Sequence, residues 1–275
     1  MGALFTRAQK VIPQHGLSRL GGKIAASEKP WLKRLLIEQF ARVYQVSLDE
    51  AERQSFSDYC SFNDFFCRAL KPGVRPLAKE PAALVCPADG TVSQLGRIED
   101  DQLLQAKGHN YTLTNLAGAL GDGFLNGSFC TIYLAPSDYH RVHLPFSGTL
   151  TATLAIPGSL FSVNDSTEQA IPGLFARNER LVCRFDTACG LLLVILVGAM
   201  IVASIETVWS GPGSPYRAEK LTEYDAHYTR GEEIGRFLLG STVICCLPQG
   251  AVTFDATLLP GSKVRMGQRL GLLNL

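Results

Sequence analysis

From Lys71-Pro72-Gly73 onward the chain is cut into short, apolar, β-branched runs separated by Gly-, Pro- and Asn-rich turns. The runs are Thr91–Ile98, Phe129–Ala135, Thr149–Ile156, Leu181–Phe185, Thr242–Leu247, Val252–Leu258 and Lys263–Arg269. Such spacing builds a β-sandwich or barrel rather than a βαβ repeat. Nor is there a phosphate-binding loop or a convincing dinucleotide fingerprint, since Gly22-Lys23 is followed by Ile24 where Ser or Thr is required. Nucleotide-dependent enzymes are therefore disfavoured.

The segment before this punctuation reads as helical. Leu4, Ala8, Val11 and Ile12 share a face until Pro13 stops the run. Pro30 suits a first helical position, and Leu32, Leu35, Leu36, Phe40 and Val43 follow on one side. Ser47 with Glu50 forms a capping-box pattern, and Ser61 with Asp64 resembles a further helix start. The expected class is α+β: a helical region, 1–72, then a β-rich region, 73–275.

One stretch invites a different reading. Nineteen uncharged residues, Thr187 to Ile205, are just long enough to span a bilayer. Its flanks, Asp186 and Glu206, are acidic and lack the basic bias of a cytoplasmic membrane end. The run is β-branched and interrupted by Gly198-Ala199, so two buried strands account for it better than a spanning helix.

With 46% hydrophobic and 19% charged residues in 275, the chain can bury a sizeable core. A net charge of +1 argues against a nucleic-acid binder, but the charge is uneven. Residues 1–45 hold eight Lys/Arg against Glu28 and Glu38, a local net of +6. That asymmetry points to an anionic partner, a membrane surface first. The eight cysteines include no Cys-x-x-Cys pair and no signal-like apolar run opens the chain, so buried free thiols in a reducing cytoplasm are expected. The myristoylation pattern at Met1-Gly2 with Thr6 and the sequon Asn164-Asp165-Ser166 are too short to outweigh this.

The densest polar cluster, Ser137-Asp138-Tyr139-His140-Arg141-Val142-His143, directly follows an apolar run. Polar residues leaving a strand end are well placed to line a site. As metal ligands His140 and His143 lack companions beyond Asp138. As an acid and a base they suffice, because imidazole titrates near neutrality. Asp89 lies in the turn Cys86-Pro87-Ala88-Asp89-Gly90, where shaping the turn is its ordinary role. Gly240-Ser241-Thr242 lacks the Gly-x-Ser-x-Gly frame of a nucleophile elbow. These residues give Asp, His and Ser candidates in that order, compatible with nucleophilic catalysis without specifying it.

Taken together in order, however, these motifs resemble one family. Pro87-Ala88-Asp89-Gly90, Asp138-Tyr139-His140-Arg141-Val142-His143, Pro157-Gly158 and Leu160-Phe161-Ser162-Val163-Asn164 are followed by Asn178-Glu179-Arg180 and Gly231-Glu232-Glu233-Ile234-Gly235-Arg236-Phe237. Leu239-Gly240-Ser241-Thr242 and Pro260-Gly261-Ser262-Lys263-Val264-Arg265-Met266-Gly267-Gln268 complete the set. Over nearly all of residues 60–275 the chain is similar to the bacterial, membrane-associated phosphatidylserine decarboxylases. Ala203 stands where the resemblance implies a Gly.

The resemblance implies a proenzyme that cuts itself between Gly240 and Ser241, with Asp89, His143 and Ser241 as the triad. His143, oriented by Asp89, deprotonates Ser241, which attacks the Gly240 carbonyl. Elimination to a dehydroalanine, and hydrolysis of that with loss of ammonia, then leave a covalent pyruvoyl group on the α chain, 241–275, beside the β chain, 1–240. The pyruvoyl ketone is the electron sink for decarboxylating phosphatidylserine to phosphatidylethanolamine through a Schiff base. His140 is implied as the acid that reprotonates carbon, and Ser162 as a substrate contact. The implied assembly is a homodimer of αβ units, held peripherally on the cytoplasmic face of the cell membrane by the basic N-terminal region. Three rivals differ in what they demand. A Ser-His-Asp hydrolase stays uncut and reacts with acylating probes, an integral membrane protein resists salt and alkali, and a lipoyl-like carrier needs an attachment lysine motif that this chain lacks.

Overall fold

The computed structural model describes residues 14–106, 109–199, 204–213, 215–238 and 241–274. The expected helix at Leu4–Ile12, the departure at Ala203, and the junction residues Leu239 and Gly240 lie outside the described residues.

Helices come first, at Gln14–Ala25, Pro30–Tyr44 and Phe62–Phe66, and strands dominate thereafter. Pro30 occupies the first turn of its helix, where the missing N–H costs nothing. Ser61 caps Phe62–Phe66 by accepting from Asp64 N–H at 3.2 Å. The Ser47/Glu50 pattern starts no helix: Ser47 Oγ closes a turn by accepting from Asp49 N–H at 3.0 Å, and Glu50 is engaged by arginines. The apolar stripe of Pro30–Tyr44 also sits differently from the sequence reading. Ile37 and Ala41, with Leu36 and Phe40, pack on Tyr59, Phe62, Phe65 and Phe66, whereas Trp31, Leu35 and Val43 are exposed.

The main sheet has eight strands in the order Lys220–Tyr228, Gly148–Ile156, Arg180–Thr187, Gly190–Val197, Ser241–Leu247, Ser128–Leu134, Gly90–Arg97 and Lys263–Val264. Every neighbour is antiparallel. Its central strands are buried on both faces, which explains why they read as continuous apolar runs instead of alternating ones. Val243 and Cys245 join one core with Ile132, Val194 and Phe237. Ile244 and Cys246 join the other with Phe129, Phe175 and Ile195.

Against the first core packs a smaller sheet of Gly211–Pro212, Ile205–Thr207, Glu233–Phe237 and Arg141–His143. A three-stranded sheet of Ala83–Val85, Arg269–Leu273 and Val252–Phe254 contributes to the same core. The run Lys263–Arg269 is thus broken into two strands of different sheets, because the chain turns at Gly267, whose φ is +84°. The uncharged stretch after Asp186 supplies the central strand Gly190–Val197 and, from Ile205, a strand of the smaller sheet. No helix among the described residues is long and apolar enough to cross a membrane. The cysteines are free, and six of the eight are buried.

Candidate active site

Strand Ser128–Leu134 runs into a turn closed from both sides. Asp138 N–H donates to the Ala135 carbonyl at 2.9 Å, and Asp138 Oδ2 accepts from Ala135 N–H at 2.7 Å. Burial pushes the Asp138 carboxyl above its ordinary range. This turn feeds Tyr139 and His140 inward and launches the strand Arg141–His143. In the main sheet Leu134 pairs with Ser241, so the last residue before the turn lies beside the first residue of the central strand Ser241–Leu247. Backbone pairing therefore brings the start of that strand to the histidine-bearing segment.

The two histidines have different surroundings. His143 is buried; its backbone N–H donates to the Pro87 carbonyl at 2.8 Å, joining it to the turn that carries Asp89. Its Nδ1 lies 2.9 Å from the Gly231 carbonyl and its Nε2 2.9 Å from the Tyr139 hydroxyl. A carbonyl only accepts, so Nδ1 carries the proton and Nε2 accepts from Tyr139. Burial holds the His143 pKa below its usual value, and so favours the neutral, basic form.

His140 is sealed from solvent. Nδ1–H donates to the Asp138 carbonyl at 2.9 Å, and the ring lies against Phe66 with centroids 4.0 Å apart. Nε2 has no partner among the described residues. Burial pushes the pKa down to about 3, so the resting imidazole is neutral with a bare acceptor nitrogen. Phe237 N–H donates to the His140 carbonyl at 3.0 Å, so His140 is bonded to the segment that leads toward residue 239.

Asp89 does not reach either imidazole. Its Oδ1 accepts from Arg75 Nε at 2.9 Å and Met266 N–H at 2.8 Å, and its Oδ2 from Arg75 Nη2 at 2.5 Å. The resemblance implies that Asp89 orients His143; the Asp89 carboxylate is held by an arginine fork, and the His143 ring nitrogens meet the Gly231 carbonyl and the Tyr139 hydroxyl. Gly90, next in the chain, is required by packing: a Cβ there would strike the Tyr133 carbonyl.

The remaining two candidates differ in what is described. For Ser241 this is the backbone register; its side chain lies outside the described residues. Ser162 sits in the loop between Ile156 and the helix Asp165–Ala170, its carbonyl accepting from Thr167 Oγ1 at 2.7 Å. Asn178 holds that loop: Oδ1 accepts from Phe161 N–H at 3.1 Å while Nδ2 donates to the Phe161 and Gly198 carbonyls at 2.9 Å each.

A cleft of about 620 Å³ opens between the N-terminal region and the β region, lined among others by Arg68, Arg75, Asp89, Asp138, Tyr139 and Lys263. Two contributors were missed in the sequence. Tyr139 stood inside the polar cluster with no task assigned. Arg75 follows the break at Lys71-Pro72-Gly73 by two residues, and nothing local marks which carboxylate it meets.

The phosphatidylserine decarboxylase family profile matches residues 62–272, and a second profile, described as PSD, matches residues 4–45. A phosphatidylserine decarboxylase proenzyme of Psychrobacter arcticus is 53% identical over 270 residues, covering 97% of this chain and 98% of its own length. Proenzymes of the same name from Alcanivorax borkumensis and Acinetobacter baumannii are 52% and 49% identical, each covering 98% of this chain and 95% of its own length.

Proposed function

Because the chain belongs to the phosphatidylserine decarboxylase family, we propose that it is a precursor that cuts itself between Gly240 and Ser241 and then decarboxylates phosphatidylserine to phosphatidylethanolamine. The observation that supports this reading is the pairing of Ser241 with Leu134, next to the turn that leads into the segment bearing both histidines.

In maturation, His143 Nε2 exchanges the Tyr139 hydroxyl for that of Ser241 and takes its proton as the oxygen attacks the Gly240 carbonyl. Burial of His143 keeps Nε2 unprotonated at neutral pH, the form a general base needs. Elimination from the resulting ester frees the Gly240 carboxylate and leaves a dehydroalanine at residue 241, and addition of one water to its imine tautomer, with release of ammonia, leaves the pyruvoyl group there.

That group fits the surroundings: the segment reaching residue 239 is bonded to His140, whose bare, buried Nε2 suits an amine-bearing substrate. When present, the pyruvoyl ketone supplies the electron sink for the charge left by departing carbon dioxide. His140 does the proton work. Its Nε2 accepts a proton from the substrate ammonium and later returns one to carbon, while Nδ1–H stays fixed on the Asp138 carbonyl. Phe66 and the surrounding core exclude water that would compete for that proton. Ser162, on the loop pinned by Asn178, serves as a polar substrate contact.

A lipid substrate also gives a purpose to the exposed face of the helix Pro30–Tyr44. Trp31, Leu35 and Val43 face solvent among Arg34 and Arg42, a pattern suited to an anionic interface. The protein is read as peripheral on the cytoplasmic face of the cell membrane, and the resemblance extends the reading to a homodimer of αβ units.

Intact mass under denaturing conditions tests the proposal. The expected result is two chains split after Gly240, the smaller lighter by one ammonia than a serine-ended 241–275 peptide. A full-length mass that persists after incubation with anionic lipid vesicles overturns it.

A further inference from the structure

The carboxylate implied to serve His143 is held by a cation. Arg75 Nε and Nη2 clamp Asp89, Nη2 also reaches Glu50 Oε2 at 2.7 Å, and Nη1 donates to the Val74 carbonyl at 2.9 Å. Each guanidinium nitrogen is thus engaged, in a side chain only 7% exposed. A planar fork fixes the distance and the plane of a carboxylate, whereas a lysine supplies charge without the plane. Glu50 belongs to the N-terminal region, and its other oxygen meets Arg265 at 3.1 Å. The clamp therefore joins both ends of the chain around Asp89. His143 is bonded through its N–H to Pro87, two residues before Asp89, so holding Asp89 also sets its charge relative to the imidazole.

We propose that Arg75 is a positioning residue for self-cleavage, holding Asp89 as a fixed, oriented charge near His143 instead of leaving it free to swing onto the imidazole. The inference rests on the self-cleavage reading of Gly240-Ser241. The groups that act on His143 are Tyr139 and Arg141 from its own segment, Glu233 from the facing strand, the Gly231 carbonyl, and Asp89. Asp89 and Glu233 favour the charged imidazole and Arg141 disfavours it. Arg75 offsets part of the Asp89 charge. Removing it lets His143 keep its proton to higher pH, and since the base must be neutral, the acid limb of the cutting rate moves up.

The test follows conversion of full-length chain, made by cell-free synthesis, across a range of pH. Wild type, Arg75→Gln, Arg75→Lys and His143→Ala are compared. Arg75→Gln is expected to cut about tenfold to a hundredfold more slowly, as a small misplacement near reacting groups does, with its acid limb displaced upward by several tenths of a pH unit. Arg75→Lys returns the charge, so the limb returns to its wild-type position while only part of the rate recovers. Wild-type rate and limb in Arg75→Gln overturn the proposal, as does a loss equal at every pH that lysine does not relieve. If Arg75→Gln fails to fold, Arg75→Lys decides alone: a slower rate on an unmoved limb supports the role, and a wild-type rate ends it. Normal cutting by His143→Ala would remove the self-cleavage reading itself, a separate outcome.

Discussion

His140 and His143 are three residues apart, and the partners of each ring nitrogen decide what each can do. His143 has an accepting Nε2 already engaged by a hydroxyl, the arrangement a second hydroxyl can take over. His140 has an Nε2 that is unpaired among the described residues, in a dry site, which suits holding and returning a substrate proton. His143→Ala should therefore leave one uncut chain, and His140→Ala should cut normally but decarboxylate about a hundredfold or more slowly. An uncut His140→Ala chain would defeat that division. Acid stability gives an independent check. An unfolded His140 takes a proton near its ordinary 6.5, whereas the folded one resists until about 3. Stability contributed by the neutral form is present above the higher value and lost as pH falls toward the lower one. His140→Phe should flatten that decline in an acid-unfolding series; an unchanged slope would mean that His140 is not held neutral. The sequence shows that two histidines follow a strand, but not their tautomers, because the deciding partners are carbonyls, which every residue carries.

At the scale of elements, the helix Pro30–Tyr44 has apolar residues on two faces and only one is used by the fold. Ile37 and Ala41 are buried beside the partly buried Phe40, in a cluster whose aromatic rings reach Phe66 and, through it, His140. Trp31, Leu35 and Val43 make no such contribution. Replacing all three by Gln should lower binding to anionic vesicles severalfold while leaving self-cutting intact, since apolar burial and basic residues act together at an interface. Ile37→Ala should instead destabilise the chain by about 2–5 kcal/mol without a matching loss of vesicle affinity. Sedimentation with vesicles and thermal melting separate the two. The sequence stripe merged these faces because periodicity records which residues are apolar, not which side finds a partner. The same limit explains the split of Lys263–Arg269: its composition is strand-like throughout, but the left-handed turn at Gly267 sends its halves to different sheets.

For the whole molecule, the order of elements was readable and the pairing was not. Turn punctuation marked most central strands within a residue or two, yet placing Ser241–Leu247 between Gly190–Val197 and Ser128–Leu134 is a long-range choice that no local signal encodes. That placement governs whether the two chains stay together once the Gly240–Ser241 bond is cut. The segment after Ser241 supplies a central strand of the main sheet, its edge strand Lys263–Val264, and two strands of the three-stranded sheet. It also supplies the Met266 N–H to Asp89 and the guanidinium of Arg265 to Glu50. A fragment interleaved in this way cannot leave without opening both cores. The cut protein should therefore run as one species in gel filtration at high salt, because the joining surface is apolar and backbone-paired and ion pairs are its minor part. The fragments should part only where denaturant unfolds the whole, in a single transition followed by both circular dichroism and release of the small chain. Loss of the small chain in salt alone, before any change in circular dichroism, would mean that the strand after Ser241 is not integral to the core.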